Sequence, residues 1–160
     1  MLESILAMPL VIHRYPASSP GLQDALEHIE RDSARLGFAT STQMKLRLVV
    51  EELYTNTLRH GRAQPSSVVI ITLTRTADDH AHVRFEDEGN AYDPFSTLET
   101  LPNRAALTKP VEDRPVGRLG LVLIQGLALS VSYSPTAVGN CIDVVVEDEV
   151  TNNTVQRGQH

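Results

Sequence analysis

Alternation and helical spacing divide the chain into recognisable elements. Pro9–Tyr15 (PLVIHRY) is a short β-rich run that predicts a strand, at a sheet edge because proline flanks it. Ser18, Ser19 and Pro20 form a helix start. Leu22, Ala25, Leu26, Ile29, Ser33 and Leu36 then recur at helical spacing, and Gly37 ends that helix. Thr40, Ser41 and Thr42 offer N-caps for a second helix running to His60, with Leu46, Val49, Val50, Leu53 and Leu58 as its apolar sides and Gly61 as its stop. Val68–Thr76 (VVIITLTRT) and His80–Asp87 (HAHVRFED) predict two strands of a hairpin, with Asp78 and Asp79 at its turn. From Phe95 to Val116 no periodicity is sustained, and Pro102, Pro110 and Pro115 interrupt the stretch. So long an interval inside a compact domain is often a functional lid. Gly117–Gly120 opens a helix over Leu121–Leu129. Val131–Ser134 is a strand, Gly139 and Asn140 make a turn, and Cys141–Glu147 is the last strand. Thr151–His160 is polar and is expected to fray.

Composition narrows the class. The 160 residues fit one domain, expected over 1–150 with a tail over 151–160. With 41% apolar and 21% charged residues the chain reads as an ordinary globular protein. A net charge of −6 gives no general attraction to nucleic acid or an anionic membrane. Aromatics at 4% and the absence of Trp argue against a base-stacking surface. The one cysteine, Cys141, leaves no disulfide scaffold and no Cys-based zinc site. The N-terminal stretch lacks the basic segment of a signal peptide, and no apolar run reaches the ~18 residues of a membrane span. A cytoplasmic, soluble protein is expected.

Three stretches carry candidate chemistry. In Val50–Arg62 (VEELYTNTLRHGR), Glu52 and Asn56 stand one helical turn apart on one face, so a carboxylate and a carboxamide can handle a proton and a metal ion together. Asp87-Glu88-Gly89 ends a strand. Its carboxylate can accept from an exocyclic amine in an apolar-walled pocket, and Gly89 permits close approach. Gly117-Arg118-Leu119-Gly120 precedes an apolar helix, whose first amides suit a phosphate chain. It is neither the Walker A pattern nor G-x-G-x-x-G. Each stretch alone has an ordinary reading: a solvated helix face, a common turn, a glycine-rich helix entry. Their order and spacing together are far more specific.

In that order the chain resembles the GHKL (Bergerat-fold) ATPases, which include histidine kinases, gyrase B and MutL. More closely it is similar to the small anti-sigma-factor serine kinases of the SpoIIAB and RsbW type. Glu52, Asn56, His60 and Gly61 match the E-x-x-x-N-x-x-x-H-G box. Asp87-Glu88-Gly89 matches the first glycine box and Gly117-Arg118-Leu119-Gly120-Leu121 the second. The likeness runs from about Pro9 to Glu147, and Thr108-Lys109-Pro110 with Arg114 resembles the lid of some members. It implies an α+β, two-layer sandwich with a mixed, mainly antiparallel sheet and helices on one face. It implies ATP and Mg²⁺ as cofactors, with Asn56 as metal ligand, Asp87 reading adenine and the second glycine box, Gly117 to Leu121, cradling phosphates. Glu52 would be the general base. Thr108 belongs to the nucleotide site, and either Arg114 or Arg118 reaches the γ-phosphate. Asn90 stands where many relatives have a further Gly, so a left-handed conformation is expected there.

The function so implied is an ATP-dependent anti-sigma factor and protein serine kinase. It would phosphorylate a STAS-domain antagonist and sequester a sigma factor. Homodimers are common in the family, and no direct nucleic-acid or membrane partner is expected. The alternative is a nucleotide-binding regulatory module that binds a partner without phosphorylating it. No H-box-like context surrounds His28, which argues against a stand-alone sensor histidine kinase.

Overall fold

The computed structural model describes residues 8–60, 64, 66–96 and 118–149. Among the described residues five strands, β1 (Leu10–Pro16), β2 (Val68–Arg75), β3 (His80–Glu88), β4 (Ser130–Pro135) and β5 (Gly139–Glu147), form one sheet in the order β1-β2-β3-β5-β4. Among the described residues the four pairings are all antiparallel, in keeping with the mainly antiparallel sheet expected from the sequence, and no parallel pair occurs there. The helices described, α1 (Ser19–Arg35), α2 (Thr40–His60) and α3 (Arg118–Leu127), pack on one face.

Strand alternation explains the two layers. Val69, Ile71 and Leu73 of β2, Ala81, Val83 and Phe85 of β3, and Ile142, Val144 and Val146 of β5 are buried. Their neighbours on the other face, such as Thr72, Arg84 and Asp143, remain at least partly exposed. The helices supply Ala25, Leu26 and Ile29 from α1, Leu46, Val49, Val50 and Leu53 from α2, and Leu121 and Ile124 from α3. Burying each of the larger of these side chains, Val, Leu, Ile or Phe, contributes roughly 1.5–3 kcal/mol. Tyr54 is fully buried among them, and its hydroxyl donates to the Pro16 carbonyl, which ties α2 to the end of β1.

The helix ends differ in how they are satisfied. Ser18 caps α1, its Oγ accepting from the Gly21 amide at 3.2 Å, and Gly37 leaves the helix with φ 77°. For α2 the expected local caps are replaced by a distant one. Asp148 accepts from the Ala39 amide at 3.0 Å and from the Thr42 hydroxyl at 2.8 Å, while Arg75 donates to its other oxygen at 3.2 Å. A carboxylate there also complements the positive end of the helix dipole. Thr42 turns inward to meet it and is buried.

Three boundaries move. α3 begins at Arg118, not Leu121, and ends at Leu127. β5 begins at Gly139, so Gly139 and Asn140 are strand residues paired with Glu88 and Asp87, and the turn lies just before them. A Cβ at Gly139 would overlap the Asp87 carbonyl, so this close pairing requires glycine. Phe95, expected to open the long irregular stretch, is anchored in the core after a turn closed by Asp93. Gly61, most of that stretch and the expected tail lie outside the described residues.

Candidate functional site

The C-terminal half of α2 crosses above the ends of β3 and β5, and this crossing builds a shallow recess open to solvent. Its apolar wall comes from Leu53, Pro94 and Ile142. Its polar wall comes from Asn56, Thr57, Asp87 and Asn140, with Tyr92 beside them. Leu53, Asn56 and Thr57 share a face of α2 because three or four residues make one turn. Asp87 reaches the recess because odd positions of β3 face the helices.

Asp87 is held from two sides. Thr57 Oγ1 donates to Asp87 Oδ2 at 2.7 Å, and Asn140 Nδ2 donates to Asp87 Oδ1 at 2.8 Å. Each carboxylate oxygen has two lone pairs, so both retain acceptor capacity toward the recess. The Asn140 amide also donates to the Asn90 carbonyl at 3.0 Å. Its oxygen accepts from the Tyr92 amide at 2.8 Å and the Tyr133 hydroxyl at 2.7 Å. Every donor and acceptor of this buried amide is therefore used.

These bonds correct one expectation. Asn90 does not take a left-handed backbone; among the described non-glycine residues only Asp79, in the β2–β3 turn, has positive φ, at 60°. The turn after Gly89 closes instead through Gly89 donating to the Val138 carbonyl at 3.1 Å and through Asn140 gripping the backbone at Asn90 and Tyr92.

Glu52 lies one turn before Asn56 and is half-buried. Its side chain rests against the Cα of Gly120, where a Cβ would overlap the carboxylate. Burial, and then the neighbouring Glu51, raise the Glu52 pKa above its ordinary value, with Arg59 opposing them. A carboxylate disposed to hold a proton, one helical turn from an amide on a recess wall, is a chemically competent pairing.

Leu119 and Gly120 sit in the first turn of α3, where backbone N–H groups have no intrahelical partner. Leu119 is exposed, whereas the Leu121 side chain is buried in the core and serves packing. The structure thus brings Asn56 and Asp87 to one recess and sets Glu52 against Gly120. Thr108, Arg114 and Gly117 lie outside the described residues, as does the side chain of Arg118. Thr57 and Asn140, both buried, were not among the residues expected from the sequence. Each had a signal, a polar residue at a core-facing position of its element. Among the described residues no group of three or more His, Cys, Asp or Glu gathers around a common point, and no helix is long and apolar enough to cross a membrane.

The chain is similar to several known proteins. A serine-protein kinase, RsbW, from Bacillus mycoides is 29% identical over 93 residues, which is 58% of this chain and 57% of the relative. The chain thus aligns with little more than half the length of that protein. Among solved structures, the RsbU and RsbW domains of Rv1364c from Mycobacterium tuberculosis superpose with a TM-score of 0.62 at 13% identity. That match covers 87% of this chain and 32% of that one. A blue-light activated histidine kinase from Erythrobacter litoralis EL346 gives a TM-score of 0.51 at 19% identity over 83% of this chain and 42% of that one. At these identities the structures share the fold. Residues 16–146 match the family described as the histidine kinase-like ATPase domain, a span from the end of β1 into β5 that includes the whole recess, and the chain belongs to that family.

Proposed function

We propose that this protein is an ATP-dependent protein serine/threonine kinase of the anti-sigma type. It binds a sigma factor and phosphorylates a STAS-domain antagonist in a partner switch. The observation that carries the reading is the meeting of Asn56 and Asp87 at one recess, with Glu52 one turn away against the first turn of α3. The similarity to a serine-protein kinase supports the chemistry.

The chemistry of the recess lining suits an adenine nucleotide. Its apolar wall suits a flat heterocycle, and the Asp87 carboxylate, with lone pairs toward the opening, suits an exocyclic amine. The Asn56 carboxamide is a hard oxygen donor, and an ion held by one protein ligand with phosphate oxygens and water is the usual setting of Mg²⁺. When bound, Mg²⁺-ATP supplies the transferable phosphoryl group and the charge that neutralises it.

The chain's own residues then bind and orient. Asp87 and Gly89 hold the base end, and Asn56 fixes the metal end. Gly117 through Gly120 would cradle the phosphates with their amides, and Leu121 anchors the first turn of α3 in the core. Arg114 or Arg118 would meet the γ-phosphate, and Thr108 would belong to the nucleotide site. Glu52 accepts the proton of the attacking serine hydroxyl, a role that needs its carboxylate ionised.

The test is incubation of the protein with γ-labelled ATP, Mg²⁺ and a STAS-domain protein from the same cell. Label on a serine or threonine of that protein is expected, with loss in Glu52→Gln. Nucleotide binding without any transfer would leave a regulatory module in place of a kinase.

A further inference from the structure

We infer that Thr57 and Asn140 are positioning residues that set base selectivity by orienting the Asp87 carboxylate. This rests on the adenine-nucleotide reading above and goes beyond it, because neither residue belongs to the three stretches that suggested that reading. Both are buried, Thr57 at 3% and Asn140 at 5% relative exposure, at positions where their elements otherwise present apolar side chains to the core. A buried hydroxyl and a buried amide are costly unless bonded, and each gives one hydrogen bond to the same carboxylate, the Thr57 hydroxyl also lying 3.1 Å from the Leu53 carbonyl.

The two donors approach different oxygens from different elements, α2 on one side and β5 on the other. Between them they fix the carboxylate plane. An oriented carboxylate accepts from an amine placed on one line and offers nothing to a carbonyl there. The site therefore favours a purine with an exocyclic amine at that point over one with an oxygen or a hydrogen. Asn140 further joins this carboxylate to the backbone at Asn90 and Tyr92, so the mouth of the recess and its selective group move as one unit.

The test measures binding of ATP and of two analogues, inosine triphosphate and purine riboside triphosphate, to the full chain and to Thr57→Val, Thr57→Ser and Asn140→Ala. Wild type is expected to prefer ATP. Thr57→Val and Asn140→Ala should each reduce that preference about tenfold or more, the scale of one hydrogen bond to a charged group. Thr57→Ser, which keeps the hydroxyl, should restore it. A merely structural role would lower affinity for all three nucleotides together and leave the ratio unchanged. An unchanged ratio in Thr57→Val, which differs little in shape and keeps the fold, overturns the inference even if Asn140→Ala fails to fold. Failure of wild type to bind any of the three would instead overturn the nucleotide reading itself.

Discussion

The Glu52 carboxylate occupies the space that a side chain at position 120 would need. Two segments far apart in the chain thereby meet closely: the middle of α2 and the first turn of α3. Gly120 is required here for contact; its backbone is helical, and no left-handed conformation is involved.

Gly120→Ala should consequently act on Glu52 more than on the fold. Alanine is favoured over glycine inside a helix by about 1 kcal/mol, and the overlapping atoms belong to a flexible side chain that can swing aside. The melting temperature should change by no more than about 3 °C, while phosphoryl transfer falls at least about tenfold. Gly139→Ala meets the Asp87 carbonyl and the Glu88 backbone, which cannot swing aside. It should cost about 3 kcal/mol, read by denaturant unfolding.

Glu52 carries a pH signature. Its folded pKa lies above the ordinary 4.5, because burial and then Glu51 disfavour the charged form. The folded state therefore binds more protons than the unfolded one between the two values. Stability falls as pH rises through that window and stays lower above it. Glu52→Gln should be more stable than wild type at pH 7, with the gain vanishing well below pH 4.5, while transfer is lost. Thermal melts at both pH values check the sign.

Asp148 predicts the opposite slope. Burial pushes its carboxyl up, but the Ala39 amide, the Thr42 hydroxyl and the Arg75 guanidinium outweigh burial and hold it below its ordinary 3.8. Its contribution is present above that value and is lost as pH falls through the lower folded pKa. Asp148→Ala should cost about 3 kcal/mol at pH 7, a drop of roughly 6–12 °C in melting temperature for a chain of this size. The difference from wild type should shrink in acid. Nucleotide affinity should hold wherever the variant is folded, because Asp148 is not among the residues lining the recess.

Much of this was legible in the chain because periodicity reports burial. The β2–β3 hairpin, both long helices and the edge position of β1 follow from alternation, helical spacing and flanking glycine and proline. What escaped depends on contacts between distant segments. Asp148 caps α2 from beyond β5, and nothing near Thr40 announces it. Gly139 and Asn140 read as a turn because that pair usually makes one; here the Asp87 carbonyl demands glycine, and Asp87 and the Asn90–Tyr92 backbone use every polar atom of the amide that Tyr133 leaves free. Thr57 and Asn140 each stand where the apolar rhythm of an element breaks inward. Such a break predicts a buried partner but does not name it.

The most direct test of the central claim is calorimetric titration of ATP into the protein with Mg²⁺ present, repeated with Asn56→Ala and Asp87→Ala. Saturable binding in wild type is predicted. Asn56→Ala should remove its dependence on Mg²⁺, and Asp87→Ala should weaken ATP at least about tenfold while leaving GTP nearly unchanged. Equal binding of ATP and GTP by all three proteins, or no binding by a folded wild type, would contradict the account.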